Sequence, residues 1–264
     1  MTGSIDILKI EDSNKNILLP HTYVTGDIIS QIIQLLRVTF NADITPSSFY
    51  ELIISNDWSR TKKIFASSTE DKHTSISTRN IIKPNINSEK LIIPIFLRKN
   101  YIYHWMMCVR FSSINKFGCF GWNFYTIDSL NNPSFHDEIE STLNKKSRLH
   151  SMIEMSDNNV DTFKIKSIHV KQQNESECGC RLALHMYLAC ISTSIEDFTF
   201  HLNLLENIEN LSQKCRTWLF SILHNHNKIM EFPGFMNHCT HGIDMCHVAS
   251  SGLKQKEKVI KKNI

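Results

Sequence analysis

Residues 172–190, QQNESECGCRLALHMYLAC, decide the fold of this chain, because a polar run passes there directly into an apolar one. The apolar part places Leu182, Met186 and Ala189 on one stripe at helical spacing. The polar run that precedes it shows no such periodicity. A loop is therefore expected to lead into a helix, and Cys178 is predicted to lie where that helix begins.

This position gives Cys178 a chemical interpretation. A residue at a helix N-terminus lies over unpaired backbone N–H groups and the positive end of the helix dipole. Both features, together with a nearby imidazolium, favour the thiolate, which is the nucleophilic form of cysteine. Gly179 removes a side chain beside the thiol and leaves room for a substrate backbone. Cys178 is therefore a candidate nucleophile.

Two predicted strands upstream carry candidate partners for this cysteine. The segments YIYHWMMCVRF (101–111) and WNFYTI (122–127) are rich in the aromatic and β-branched residues typical of strands. His104 lies inside the first strand, which can hold its ring rigidly as a base and ion-pair partner. Asp128 follows the second strand and can orient the other nitrogen of that ring.

Gln172 is a candidate donor to the oxyanion of a tetrahedral intermediate. Its side-chain amide can fold over and join the backbone N–H of Cys178, with Gln173 as the competing residue for this role. Taken singly, a Cys-Gly at a helix start, a His-Trp in a strand and an Asp-Ser after a strand all have common structural explanations. Their order, together with the Gln-Asn run, favours catalysis.

Three motifs carry a resemblance to a known family. In chain order they are His104-Trp105, Tyr125-Thr-Ile-Asp128-Ser129-Leu130 and Gln172-Gln-Asn-Glu-Ser-Glu-Cys178-Gly179. They resemble the ubiquitin-like-protein-specific (SUMO-type) cysteine proteases, which are related to the adenovirus proteinase. The likeness is best over residues 91–190. Papain-like enzymes are less similar, since their cysteine precedes the histidine.

The resemblance implies a role for each matched position. His104, Asp128 and Cys178 match the catalytic triad, and Gln172 matches the oxyanion donor. Trp105 resembles the tryptophan that helps line a narrow tunnel for a Gly-Gly tail, so it is a substrate-binding candidate beside Gly179.

Two positions depart from the family pattern. Glu177 stands where an Asp is usual before the cysteine. The family's Trp-Leu-Asn-Asp-like opening is best matched by residues 23–29, with Tyr23 in the place of the tryptophan. The second departure bears on substrate recognition and not on the catalytic groups.

The function implied by the resemblance is that of a thiol protease or isopeptidase. It would hydrolyse the bond after the C-terminal Gly-Gly of a ubiquitin-like modifier through an acyl-enzyme, with that modifier or its conjugates as partner and with no cofactor. Three alternatives stay open. They are a viral or effector-type protease of the same fold that cuts a polyprotein or ubiquitin chains, an acyltransferase of the same fold, and an inactive module that binds ubiquitin-like proteins.

The whole chain is predicted to be α+β, with a central mixed sheet flanked by helices as in SUMO proteases and the adenovirus proteinase. Further predicted elements are strands at 5–10, 91–97 and 162–170, helices at 27–39, 47–55, 135–149, 195–205 and 211–224, a loop at 62–88, and a hairpin connection at 112–121. The sequence divides into three predicted regions. Residues 1–20 form a leader, residues 21–230 form the protease domain, and residues 231–264 form a Cys/His-containing loop with a Lys-rich tail.

Composition excludes some classes of protein. A net charge of +3 is too mild to indicate a nucleic-acid partner. No secretory signal is recognisable, and the longest apolar stretches fall short of the roughly 20 residues of a membrane helix. A monomeric intracellular protein, in the nucleus or cytoplasm, is therefore expected.

The run HCTHGIDMCH (238–247) has ligand types for zinc but matches no closed zinc site, so no metal site is predicted.

Overall fold

The structure, a computed structural model, describes most of the chain between residues 18 and 232. The described residues are 18–19, 21–64, 84, 88–99, 102–114, 120–145, 164–171, 175–224 and 232. The chain divides into two compact units, Met1–Met230 and Glu231–Ile264. All elements below belong to the first unit. Within the described ranges, no helix is long and apolar enough to cross a membrane.

The described elements follow one another as a helical N-terminal part, a run of strands and a helical C-terminal part. In chain order they are α1 (Gly26–Phe40), β1 (Asp43–Ile44), α2 (Phe49–Ile54), α3 (Trp58–Ile64), β2 (Lys90–Lys99), β3 (Ile102–Ile114), β4 (Phe120–Asp128), α4 (Pro133–Lys145), β5 (Lys164–His169), a 3-10 turn (Glu175–Glu177), α5 (Cys178–Ile191), α6 (Ile195–Glu206) and α7 (Leu211–His224).

The strands form one mixed sheet in the order β1-β2-β3-β4-β5. The β2–β3 and β3–β4 pairs are antiparallel, whereas β1 pairs in parallel with β2 and β5 pairs in parallel with β4. The β2–β3 pair is the longest, running from Lys90 opposite Phe111 to Lys99 opposite Ile102. This pair is the rigid support for the residues near the start of β3.

Pro94 lies inside β2 at a position that needs no backbone donor. The backbone groups of Ile92 point toward β1, since its carbonyl accepts a hydrogen bond from Thr45 N–H at 2.8 Å. Pro94 faces the same side two residues later, but β1 pairs only with Leu91 and Ile92. The proline therefore occupies an edge-like stretch of the strand, as a proline in a sheet requires.

Helices cover both faces of the sheet. On one face, α2 and α4 contribute to a buried cluster made of Phe49, Tyr50, Ile53, Leu91, Ile93, Ile95, Leu97, Met106, Cys108, Phe124, Phe135, Ile139, Leu143 and Ile165. Met107 and Val109 alternate to the opposite face and are also buried. Helix α5 packs against β3, and residues 178–189 of α5 are all buried, so it is the central helix. The predicted α+β fold with a helix-flanked mixed sheet is confirmed.

Some local predictions are corrected. The loop predicted from residue 62 begins inside α3, whose sequence WSRTKKI has no apolar stripe to indicate a helix. The two-residue strand β1 was not predicted, because so short a segment has no periodicity. The hairpin connection at 112–121 is shorter than predicted, since β3 continues to Ile114 and β4 begins at Phe120. The predicted strand at 5–10 lies outside the described residues.

Candidate active site

His104 and Asp128 come from neighbouring strands and meet at one end of the sheet. His104 lies near the start of β3 and Asp128 ends β4, and the antiparallel register brings these two strand ends together. His104 Nε2 lies 2.7 Å from Asp128 Oδ1. Both side chains are almost fully buried, so their interaction is shielded from water.

The turn after β4 holds the carboxylate of Asp128 in place. Oδ1 also accepts a hydrogen bond from Leu130 N–H at 2.9 Å, and Oδ2 accepts one from Asn132 N–H at 2.7 Å. Burial acts to raise the pKa of Asp128, but the hydrogen bonds from His104 and from the two backbone N–H groups outweigh it and lower that pKa. The structure therefore holds Asp128 ionised and oriented.

The His104 ring is fixed from a second side by helix α4. The ring stacks on Phe135, with the ring centroids 5.7 Å apart and the planes 18° from parallel. Burial acts to lower the pKa of His104, but the hydrogen bonds and charges of Asp128 and Cys178 outweigh it and raise that pKa to about 9. At neutral pH the ring is therefore held as an imidazolium.

Cys178 is the first residue of α5, and its thiol interacts with the His104 ring. This contact is one of the interactions that raise the pKa of His104. Because Asp128 already occupies Nε2, the ring nitrogen that remains for the thiol is Nδ1. Glu177 precedes the helix and its side chain makes no capping hydrogen bond. The predicted trio thus comes together in space.

A groove of about 470 Å³ gives access to Cys178, whose side chain is only 2% exposed. Its lining consists of Tyr23, Val24, Thr25, Gly26, Ser47, Ser48, Glu51, Phe96, Tyr103, Trp105 and Cys178. One wall is the segment before α1 together with the start of α2, and the other is aromatic and comes from β2 and β3. Trp105, predicted to bind substrate, belongs to the aromatic wall.

Gly179 has a structural reason to be a glycine that the sequence did not reveal. A Cβ on Gly179 would lie 2.6 Å from Val24 Cβ, which is too close for any side chain. Val24 belongs to the wall of the groove, so this contact locks the wall onto the helix that carries the nucleophile. A role for Gly179 in admitting a substrate backbone stays a prediction.

Arg216 in α7 ties the same two parts together and was not identified from sequence. Its guanidinium is buried and donates to the carbonyls of Thr22 at 2.9 Å and Ser176 at 3.2 Å. Thr22 leads into the groove wall, and Ser176 lies in the turn before Cys178. No local signal in the sequence could have shown this role, because both partners are remote along the chain.

Some predicted residues have no structural test. Gln172 and Gln173 lie outside the described residues, so the oxyanion role of Gln172 stays a prediction. The same holds for the run at 238–247, and within the described ranges no cluster of His, Cys, Asp and Glu is arranged to hold a metal ion. Cys180 is a buried helix residue, and its carbonyl accepts a hydrogen bond from the Cys215 thiol at 3.0 Å.

Comparisons with known proteins agree with this architecture. No protein-family model matches the chain, and no curated protein is similar to it in sequence. A crystal structure of a de-sumoylating protease is similar, with a TM-score of 0.54 and 18% identity over 80% of this chain and 83% of that one. The SUMO protease Ulp1 with its catalytic cysteine oxidised to a sulfinic acid has a TM-score of 0.44 and 17% identity, covering 79% of this chain and 84% of that one. The C-terminal Ulp1 protease domain in complex with SMT3, the yeast ortholog of SUMO, has a TM-score of 0.43 and 16% identity, covering 80% and 81%. The similarity to the de-sumoylating protease therefore shows that the chain has a SUMO-protease fold.

Proposed function

We propose that the chain is a thiol protease or isopeptidase that releases a ubiquitin-like modifier by cleaving the bond after its C-terminal tail. Cys178 Sγ attacks the scissile carbonyl as a thiolate, and the imidazolium of His104 gives its proton to the leaving amine. The resulting thioester is then attacked by water, with His104 taking a proton from that water. Asp128 keeps the ring oriented throughout and stabilises the ring whenever it carries the extra proton.

The observation that carries this proposal is the convergence of three remote residues at the end of an open groove. His104 lies 2.7 Å from Asp128 and interacts with the Cys178 thiol, while that thiol also lines the groove. A buried structural cysteine needs neither a charged histidine beside it nor a path to solvent. The raised pKa of His104 supports an imidazolium beside the thiol at neutral pH.

The shape of the groove supports an extended substrate with small residues next to the scissile bond. Gly26 lies almost in contact with Trp105 across the groove, since a methyl group on Gly26 would lie 3.9 Å from Trp105 Cζ2. A groove this narrow beside Cys178 leaves an acyl segment little room for side chains, which suits glycines. The partner is therefore a ubiquitin-like protein or its conjugates, as for the de-sumoylating protease of the same fold.

The acyltransferase alternative fits the groove less well. An acyl donor bearing phosphates needs positive charge around it. Of the residues that line the described groove, the charged one is Glu51, which is acidic. An inactive binding module would have no need for the oriented, charged His104.

The test is a panel of ubiquitin-like modifiers that carry C-terminal electrophiles. We expect at least one of them to form a covalent adduct with the wild-type protein, detected by intact mass, and none with the Cys178→Ala variant. Cys215→Ala is a matched control that removes another thiol and should leave adduct formation intact. If Cys178 reacts with no modifier probe and not with iodoacetamide at neutral pH, the proposed mechanism is wrong.

A further inference from the structure

The groove that reaches Cys178 carries a carboxylate that the catalytic arrangement does not use. Glu51 lies in the short helix α2 and lines the groove opposite the aromatic wall. Within the described part of the chain, its side chain has no hydrogen-bond or ion-pair partner. Its neighbours along this wall are the uncharged Ser47 and Ser48. Among the described residues, no cation pairs with the negative charge that Glu51 presents to a bound substrate.

The opposite wall is also suited to a cation. Phe96 stacks on Tyr103 with centroids 6.3 Å apart, and Phe96 lies 4.7 Å from the ring of Trp105, so the three rings form a continuous aromatic surface. The faces of aromatic rings attract guanidinium and ammonium groups. The chain already places one such pair here, since Arg98 Cζ lies 5.4 Å from the centroid of Tyr103.

Arg98 itself does not neutralise Glu51. It stands on the exposed rim of the aromatic wall and is not among the residues that line the groove. An exposed guanidinium is screened by salt and water, so it competes weakly with a cation held between the two walls. The lining of the groove therefore combines one exposed carboxylate with three aromatic rings.

From this combination we infer that the groove selects a substrate tail bearing an arginine or lysine side chain upstream of the small residues that reach Cys178. The cationic group lies between the Glu51 carboxylate and the ring faces of the aromatic wall, and its aliphatic stem packs on those rings. This inference rests on the proposed function and specifies its substrate class. Neutral tails of the same length bind the same groove more weakly, because they leave Glu51 without a counter-ion.

The experiment compares peptide vinyl sulfones that end in Gly-Gly and carry one variable residue three, four or five positions before the electrophile. Arginine is compared at each position with citrulline, which has the same shape without the charge. The measurement is the second-order rate of Cys178 alkylation in the full chain, followed by intact mass. We expect arginine to react about fivefold faster at one position, as an exposed charge pair of about 1 kcal/mol predicts.

Two variants connect this preference to Glu51. Glu51→Gln should bring the arginine-to-citrulline ratio close to one, whereas Glu209→Gln, which removes an exposed carboxylate outside the groove, should keep the wild-type ratio. The preference should also shrink as salt is raised from low concentration to about 1 M.

The outcomes separate the inference from the proposed function. Equal rates for arginine and citrulline at every position, or a preference that survives in Glu51→Gln, overturn the inference and leave the protease proposal standing. Failure of every peptide probe to label Cys178 overturns the inference. If the modifier panel and iodoacetamide also fail to label Cys178, the proposed function falls with it.

Discussion

The two ends of helix α5 carry the same kinds of residue in two different arrangements. The N-terminal set is Cys178, His104 and Asp128, and the C-terminal set is Ser192, His201 and Asp197. Each set contains a potential nucleophile, a histidine and a carboxylate. We call them the Cys178 set and the Ser192 set.

Hydrogen-bond direction separates the two sets. The Ser192 hydroxyl donates its single proton to the carbonyl of Leu188 at 2.7 Å, so it has no proton left to donate to His201. His201 Nδ1, at 2.9 Å, must therefore donate to Ser192 Oγ and cannot act as its base. At the other end, His104 receives its partner Asp128 on Nε2 and keeps Nδ1 for the thiol.

The charge states of the two histidines differ for the same reason. His104 lies 2.7 Å from its carboxylate, and this contact outweighs burial, raising the pKa of His104 to about 9. His201 Nε2 lies 3.6 Å from Asp197 Oδ1, and burial outweighs this weaker contact, lowering the pKa of His201. Ser192 is only 1% exposed and does not line the groove. Geometry and access, and not residue types, distinguish a reactive set from a structural one.

Removing the two nucleophiles should have the most unequal effects. Cys178→Ala is expected to lower kcat/KM by about three orders of magnitude or more, because the attacking atom is lost. Ser192→Ala should leave kcat/KM within about twofold and cost about 1 kcal/mol of stability from lost hydrogen bonds. The measurement is cleavage of a fluorogenic conjugate of the modifier captured above, with unfolding followed in parallel. If Ser192→Ala lost activity while Cys178→Ala kept it, the Ser192 set and not the Cys178 set would be catalytic.

Replacing the two carboxylates should give the next largest contrast. Asp128→Asn is expected to lower kcat by about 10²- to 10⁴-fold, because the amide cannot stabilise the imidazolium and favours the wrong tautomer. Asp197→Asn changes a partly exposed residue far from the thiol and should leave kcat unchanged. Both variants are assayed at saturating substrate near pH 8. Equal losses in both would mean that the Asp128 contact has no catalytic role.

The pH dependence should report His104 and not His201. Activity that needs the imidazolium should fall along an alkaline limb near pH 9, about tenfold per pH unit beyond it. The limb should move to lower pH in Asp128→Asn, since the main group that raises the pKa of His104 is weakened. Because that pKa is above the value of about 6.5 expected in the unfolded chain, the stability from His104 is complete below about pH 6.5 and is lost as pH rises through about 9. The kcat/KM profile checks the limb, and a limb that stays in place in the variant would contradict this assignment.

Two cations, the buried Arg216 and the half-buried Lys90, anchor opposite ends of α5 and allow a matched test. Arg216 binds the Ser176 carbonyl before Cys178, whereas Lys90 Nζ donates to the carbonyls of Cys190 at 2.8 Å and Ser192 at 2.7 Å. Replacement of either by methionine should lower the free energy of unfolding by about 2–3 kcal/mol, because carbonyls lose charged donors. Only the change at Arg216 should also lower kcat/KM, by about tenfold, with most of the loss in kcat. A similar kinetic loss from Lys90→Met would show that Arg216 is merely structural.

The smallest expected effect is on stability, at the contact between Gly179 and Val24. Gly179→Ala should destabilise the fold by about 1–3 kcal/mol, because the new methyl group overlaps Val24. The double variant with Val24→Gly, which removes the Cβ that the new methyl group would meet at 2.6 Å, should recover part of that loss, and a double-mutant cycle of urea unfolding measures the recovery. Additive losses would mean that the two residues do not press on one another.

Local periodicity made much of the fold predictable. Helices predicted at 195–205 and 211–224 are observed at Ile195–Glu206 and Leu211–His224, because their apolar stripes are complete within one element. The strands β2, β3 and β4 were recognised for the same reason. Helix α3 was missed because its side chains are mostly polar.

The candidate site was predictable only in part. The order of His104, Asp128 and Cys178 stands out because it matches a motif series, and the structure brings these residues together. Arg216 could not be found, since its partners Thr22 and Ser176 are 194 and 40 positions away. The residues next to Arg216 in the sequence do not indicate that its guanidinium binds two backbone carbonyls.

The sequence by itself determined the kinds of element, their order and the residues able to perform thiol chemistry. These properties depend on side chains within a few positions of one another, so they can be recognised from spacing. The tertiary structure decided which set of residues has a charged histidine and a path to substrate. That choice depends on burial, on hydrogen-bond direction and on the distance from each histidine to its carboxylate, which is 2.7 Å for His104 and 3.6 Å for His201. These properties arise only when remote segments pack together.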